Sequence, residues 1–353
     1  MAIQLAAAIT SFVIAFLIVP VIIKYSLKRN LLDIPGRRKI HKKVTPSMGG
    51  IAIFCGFFIS SLIWLDVMWS EIKFILVALF VIFFIGVRDD LVPLRAILKL
   101  IGQILAASLL VFLFDLRLDS LYGIFGINDL PDGISYIFTI FTIIIITNSF
   151  NLIDGLDGLA GTIAIISLFC FGTWFYLIGD NTFAILSYTM LGAILAFLIF
   201  NWEPSEVFMG DTGALVIGML LAILAIHFIN VNYELPLDSP YKFHSSIGTA
   251  ACFIIIPLVD TSRIIILRLI KGKSPFKPDK SHIHHAIMRM GKTHSQTTLI
   301  LAGTHLFYIA MALTLHELSE RYTLLAVFGL SIALSVTLDR LILKKLDVKE
   351  VPD

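Results

Sequence analysis

The feature that most constrains this chain is a succession of long apolar runs separated by short polar connections. A membrane-spanning helix needs about 20 mostly apolar residues at 1.5 Å rise each. On that measure eleven spans are expected, at 3–26, 48–65, 73–87, 96–114, 135–150, 159–177, 183–200, 213–230, 246–267, 297–315 and 322–341. Charged residues make up only 15% of the 353, well below the roughly one quarter usual in soluble domains. The expected fold class is therefore an all-α polytopic membrane protein forming one integral domain over 1–353. A histidine-containing loop at 268–296 and a short tail at 342–353 are its largest polar parts. Residues 115–134 mix turn and apolar types and are expected as an interfacial helix or hairpin.

Basic residues order the spans across the bilayer. The first run lacks a basic residue ahead of it, and Lys24, Lys28 and Arg29 follow it, which suits a retained span rather than a cleaved signal. The loops 27–47, 88–95 and 268–296 and the tail from Arg340 hold twenty Lys and Arg; the opposite connections hold four. The positive-inside rule then puts the N-terminus outside and the tail in the cytoplasm. Five polar motifs, TPSMGG, RDD, NSFNLIDGLDG, NWEPSEVFMGDTG and KSHIHH, all fall on that cytoplasmic side. Cys55, Cys170 and Cys252 lie inside apolar runs and read as small buried hydrophobes.

The carboxylates are the chemically telling residues. Asp89 and Asp90 follow an apolar run, at a helix end whose dipole disfavours anions. They read either as a solvated helix end or as a pair that binds Mg2+ or takes a proton. Lys99 and Gln103, four apart on the next span, face the same way and suit a phosphate. Asn148, Asn151, Asp154 and Asp157 recur every third residue between two apolar runs. A carboxylate in lipid costs roughly 2.5–3.5 kcal/mol, so this segment must face water or protein. An unwound or 3₁₀ stretch would align the four on one side. Asp211 reads as a helix N-cap or as an oxygen ligand for a hard cation, and Phe208 as a membrane-interface anchor or a platform for a flat base. Asp279, His282, His284 and His285 sit among basic residues; a solvated loop and a cationic lid over a polyphosphate are both open, while zinc lacks the usual ligand spacing. His41, His227, His244, His294, His305 and His316 are expected to be structural or surface residues.

These motifs, in this order over nearly the whole chain, resemble the polyprenyl-phosphate N-acetylhexosamine-1-phosphate transferase family. Within it the His282-Ile283-His284-His285 loop is similar to the branch using UDP-N-acetylglucosamine (UDP-GlcNAc) rather than the muramoyl-pentapeptide translocases. The resemblance implies a bacterial inner-membrane enzyme with a cytoplasmic site. It would transfer GlcNAc-1-phosphate to undecaprenyl phosphate as the first membrane step of a surface polysaccharide, with Mg2+ or Mn2+ as cofactor. It implies that Asp211 ligates the metal and that Asp89 with Asp90 positions or deprotonates the lipid phosphate. Asp154 and Asp157, as catalytic residues, would hold the nucleotide end and the catalytic groups together with Asn148, Asn151 and Asn201, with Phe208 under the uracil. Lys43, Lys99 and His282 would contact the substrates' polar groups, and His284 and His285 would bind phosphate. A homodimer is compatible with it, and no nucleic-acid partner is expected. Another UDP-HexNAc donor, a UDP-MurNAc-pentapeptide donor and, more remotely, a secondary transporter are the competing readings.

Overall fold

A computed structural model describes the protein at residues 1–29, 31–33, 45–67, 70–270, 272 and 282–347. Thirteen helices follow one another there: α1 (Ala2–Arg29), α2 (Gly49–Trp64), α3 (Ile72–Leu91), α4 (Ala96–Leu113), α5 (Asp132–Ile153), α6 (Leu159–Leu177), α7 (Asn181–Asn201), α8 (Gly210–Glu234), α9 (Ser246–Phe253), α10 (Ile255–Ile270), α11 (Ile283–Arg289), α12 (His294–Thr314) and α13 (Glu320–Asp347). Helices dominate because lipid offers no partner to a free backbone N–H or C=O. Among the described residues, eight helices are long and apolar enough to cross a membrane, or nine if α9 and α10 form one bent span. A count of eleven also needs α2, which is 16 residues long, and α3, which carries Lys73, Arg88, Asp89 and Asp90.

Helix α8 is the hub, packed by α2, α3, α5, α6 and α9 and buried almost throughout. Its neighbours come close because small residues line the seams, the usual device where lipid is as apolar as the packing face. A methyl group at Gly50 would fall on the Gly213 backbone, one at Gly86 on Thr212, and one at Gly192 on the Ala8 carbonyl of α1. The Ser60 hydroxyl donates to the Ala7 carbonyl at 2.7 Å, tying α2 to α1. At 115–134 the chain forms a tight hairpin, bridged at Ser120 and Asp129 around a 3₁₀ turn at Ile124–Gly126. Two short strands, Leu32–Asp33 and Thr45–Pro46, pair antiparallel. The three cysteines are free.

The run 246–267 is not one straight span. Helices α9 and α10 meet at a 91° bend. Pro257 sits in the first turn of α10 and has no N–H for the Phe253 carbonyl four residues earlier. His305 of α12 takes that carbonyl instead, at 3.1 Å. His305 is thus a structural brace, as a lone buried histidine suggests.

Candidate active site

One end of the bundle gathers the polar motifs. The end of α3 meets the start of α8, and this explains a carboxylate pair at an unfavourable helix end. Asp90 accepts from the Asp211 N–H at 2.8 Å, the Thr212 N–H at 3.0 Å and the Thr212 hydroxyl at 2.5 Å. Asp90 therefore caps α8 from another helix, satisfying its free N–H groups and meeting the positive end of its dipole. Asp211 is not itself an N-cap, since α8 begins at Gly210 and Met209 holds the cap position without a side-chain bond. Gly210 has φ +72°, and a methyl group there would strike the Ser47 carbonyl and the Asp90 carboxylate.

Held this way, Asp211 meets three other elements. Its Oδ1 accepts from Lys99 Nζ of α4 at 2.5 Å and from Asn151 Nδ2 of α5 at 2.6 Å. Lys99 also reaches Asp89 Oδ2 at 3.0 Å, so one ammonium bridges two carboxylates. The other Asp89 oxygen accepts from the Leu94 N–H at 2.6 Å. Gln103 does not join this cluster. It exchanges bonds of 3.1 and 2.8 Å with Asn148, which makes that asparagine a cross-link between α4 and α5.

The TPSMGG and NWEPSEVFMGDTG motifs zip together beside the cluster. The Phe208 N–H donates to the Pro46 carbonyl at 2.7 Å, the Gly49 N–H to the Phe208 carbonyl at 2.9 Å, and the Gly50 N–H to the Met209 carbonyl at 2.8 Å. Phe208 is half-buried at this junction. Asn201 is buried and spends both ends of its amide on protein, accepting from the Gly158 N–H at 3.0 Å and donating to the Val207 carbonyl at 2.8 Å.

The NSFNLIDGLDG motif is helical through Ile153 and unwinds only from Asp154 to Gly158, where φ is +74°. Asn148 and Asn151 therefore lie on α5, and Asp154 and Asp157 on the turn. Asp157 accepts from the Ser205 hydroxyl at 2.9 Å and lies 3.3 Å from His294 Nδ1. Burial pushes this carboxyl up, but His294 and Ser205 outweigh it and hold Asp157 below the usual range. His294 is thus structural, as expected, pinning the turn to the start of α12. Asp154 is pushed up to about 8, by desolvation first and then by the charges of Asp211, Asp90 and Asp157.

The shift at Asp154 fixes a sign. An unfolded aspartate loses its proton near about 3.9. The folded chain holds this one up to about 8 and so binds more protons across that interval. This group's contribution to stability therefore falls as pH rises through the interval. Melting curves of the wild type and Asp154→Asn at successive pH values check this, with the variant expected to show the shallower loss from pH 5 to 9.

The histidine motif lies against the same turn. His284 is buried, and its Nε2 stands 2.9 Å from where a methyl group on Gly155 would lie. Burial outweighs the nearby Asp260 and, with the neighbouring imidazoles, pushes His284 down to about 3. The cationic reading is thus revised for this ring, which is neutral and offers a hydrogen bond. The His284 and His285 rings lie 4.4 Å apart. His282 bonds Asp260 of α10 through Nδ1 at 2.8 Å. Sequence reasoning missed Asp260, although an ionisable residue inside an apolar run is a signal in itself. Lys43, Asp279 and His41 lie outside the described residues.

The donor set suits a hard cation. Asp89 and Asp211 share a single cationic partner, and no group of three or more potential metal-ligating side chains occurs among the described residues. Mg2+ is usually bound by one or two carboxylates, with water and substrate phosphates completing the shell.

The glycosyl transferase family 4 model matches residues 72–229, from α3 to α8. An undecaprenyl-phosphate alpha-N-acetylglucosaminyl 1-phosphate transferase of Pasteurella multocida is 36% identical over 90% of this chain and 87% of its own length. Those of Haemophilus influenzae and Salmonella typhi are 34% and 31% identical, over 83% and 84% of this chain and 80% and 81% of theirs. Likeness of this extent makes the chain a member of the polyprenyl-phosphate N-acetylhexosamine-1-phosphate transferases of glycosyl transferase family 4.

Proposed function

We propose that the chain transfers GlcNAc-1-phosphate from UDP-GlcNAc to undecaprenyl phosphate, releasing UMP, at the cytoplasmic face of a bacterial inner membrane. The proposal includes eleven spans with the N-terminus outside, and a product that starts a cell-surface polysaccharide. The observation that carries it is the Asp89–Lys99–Asp211 bridge at a point where four helices converge. Cations and carboxylates side by side at a membrane interface suit phosphoryl transfer, which depends mostly on positioning and charge neutralisation.

In this reading Asp211 holds Mg2+, for which Mn2+ can substitute. When bound there, such an ion would supply charge neutralisation for the donor's diphosphate. Asp89 positions the lipid phosphate and removes its proton. An oxygen of that phosphate attacks the β-phosphorus, the bridging bond to the α-phosphate breaks, and UMP leaves with the electron pair. No protein nucleophile is needed. Lys99 and the His284–His285 pair meet phosphate oxygens, Asn151 keeps Asp211 aimed, and Phe208 lies under the uracil. Asp90, Asn148, Asp157 and Asn201, bonded to protein, act by fixing the helix ends.

Purified protein incubated with radiolabelled UDP-GlcNAc, undecaprenyl phosphate and Mg2+ is expected to give a labelled lipid and UMP. A chelator should stop the reaction and added Mg2+ restore it. Label that stays in water with this donor, while another UDP-HexNAc yields lipid product, would overturn the donor assignment; no product with any donor would overturn the reaction.

A further inference from the structure

The first of the motif histidines bonds a residue that stands outside every motif. Asp260 lies on α10, just past the bend, and only 2% of its surface is exposed. Its two oxygens have separate tasks. Oδ1 accepts from the Ile283 N–H at 2.7 Å, capping the first turn of α11, whose own N-cap residue His282 makes no side-chain cap bond. Oδ2 lies 2.8 Å from Nδ1 of His282. A carboxylate only accepts, so this contact calls for the proton on Nδ1. The His282 ring lies nearly parallel to His284, at 12° and 5.5 Å between centroids, and His284 touches the Gly155 turn beside Asp154.

We propose that Asp260 is a positioning residue for the transfer reaction, fixing the tautomer and orientation of His282 and, through the stacked rings, the placement of His284 at the phosphate end of the site. This rests on the transferase reading above. An outer-shell partner of this kind typically alters activity by about 10- to 100-fold.

The two tasks can be separated. In Asp260→Asn the amide oxygen still accepts from the Ile283 N–H, but the amide nitrogen now donates to Nδ1 and moves the ring proton to Nε2. Asp260→Ala loses both bonds. For Asp260→Asn we expect an unchanged melting temperature and donor KM, with kcat reduced by about 10- to 100-fold. Asp260→Ala should lose kcat and melt earlier. The tautomer is read separately, from ring-nitrogen shifts of 15N-histidine-labelled protein, with His282 identified by the signal lost in His282→Gln. Nδ1 should be protonated in the wild type and bare in Asp260→Asn. Wild-type kcat in Asp260→Asn, a kcat loss that only follows a lowered melting temperature, or a bare Nδ1 in the wild type would each overturn the proposal. A wild type that makes no lipid product would instead overturn the transferase reading, and the nitrogen shifts would still decide whether Asp260 sets the tautomer.

Discussion

Asp211→Asn is expected to lower turnover by about 10²–10³-fold, on the scale seen when one preorganised electrostatic contact is removed from a transition state. The side chain keeps its shape, and its amide oxygen can still accept from Lys99 and Asn151, which reach Asp211 at 2.5 and 2.6 Å. What disappears is the charge that, in the proposed reading, draws a divalent ion. The loss should therefore appear in kcat and in the Mg2+ concentration needed for half-maximal rate, with the melting temperature little changed. Titrating Mg2+ into both proteins checks this. Turnover near the wild-type value at saturating Mg2+ would remove Asp211 from the metal site.

The second large effect is expected at Gly50→Ala. The added methyl group would fall on the Gly213 backbone where α2 crosses α8. Overpacking a core usually costs about 1–3 kcal/mol, and here the obstacle is main chain, which cannot rotate away. The helices must part, and the bond from the Gly50 N–H to the Met209 carbonyl, two residues before Asp211, goes with them. A marked drop in melting temperature and loss of most activity are expected together. Gly303→Ala and Gly329→Ala, where a methyl group meets nothing within 4 Å, are the controls and should behave as wild type. A Gly50→Ala protein that melts like them would show that the α2–α8 crossing is looser than its backbone spacing indicates.

Much of this was legible in the chain itself, for reasons that differ by residue. The helices follow from runs of apolar residues, because in lipid nothing else satisfies the backbone. The clustering of Asp89, Asp154, Asp211 and His284 follows from the cost of a charge in hydrocarbon, which forces such residues to share one wet end. Partners distant in sequence are what escape inspection. Asp90 and the N–H it caps are 121 residues apart, so nothing near either one reveals the bond. His294 looked solitary for the same reason, its carboxylate lying on a different hairpin. The bend after α9 was in principle visible, since Pro257 interrupts the run, but a proline in the first turn of a helix is also harmless. Only the rescue of the Phe253 carbonyl by His305 distinguishes the two cases.

The ammonium shared by two acids at the junction of α3, α4 and α8 has an implication for assembly. Two like charges facing each other would otherwise push those helices apart while the protein enters the bilayer. A built-in counterion removes that repulsion in advance, so the helices can pack together without help from a metal ion. Under the proposed metal role, maturation and activation would be separate events, and scarcity of the ion would leave an intact, idle enzyme rather than a misassembled one.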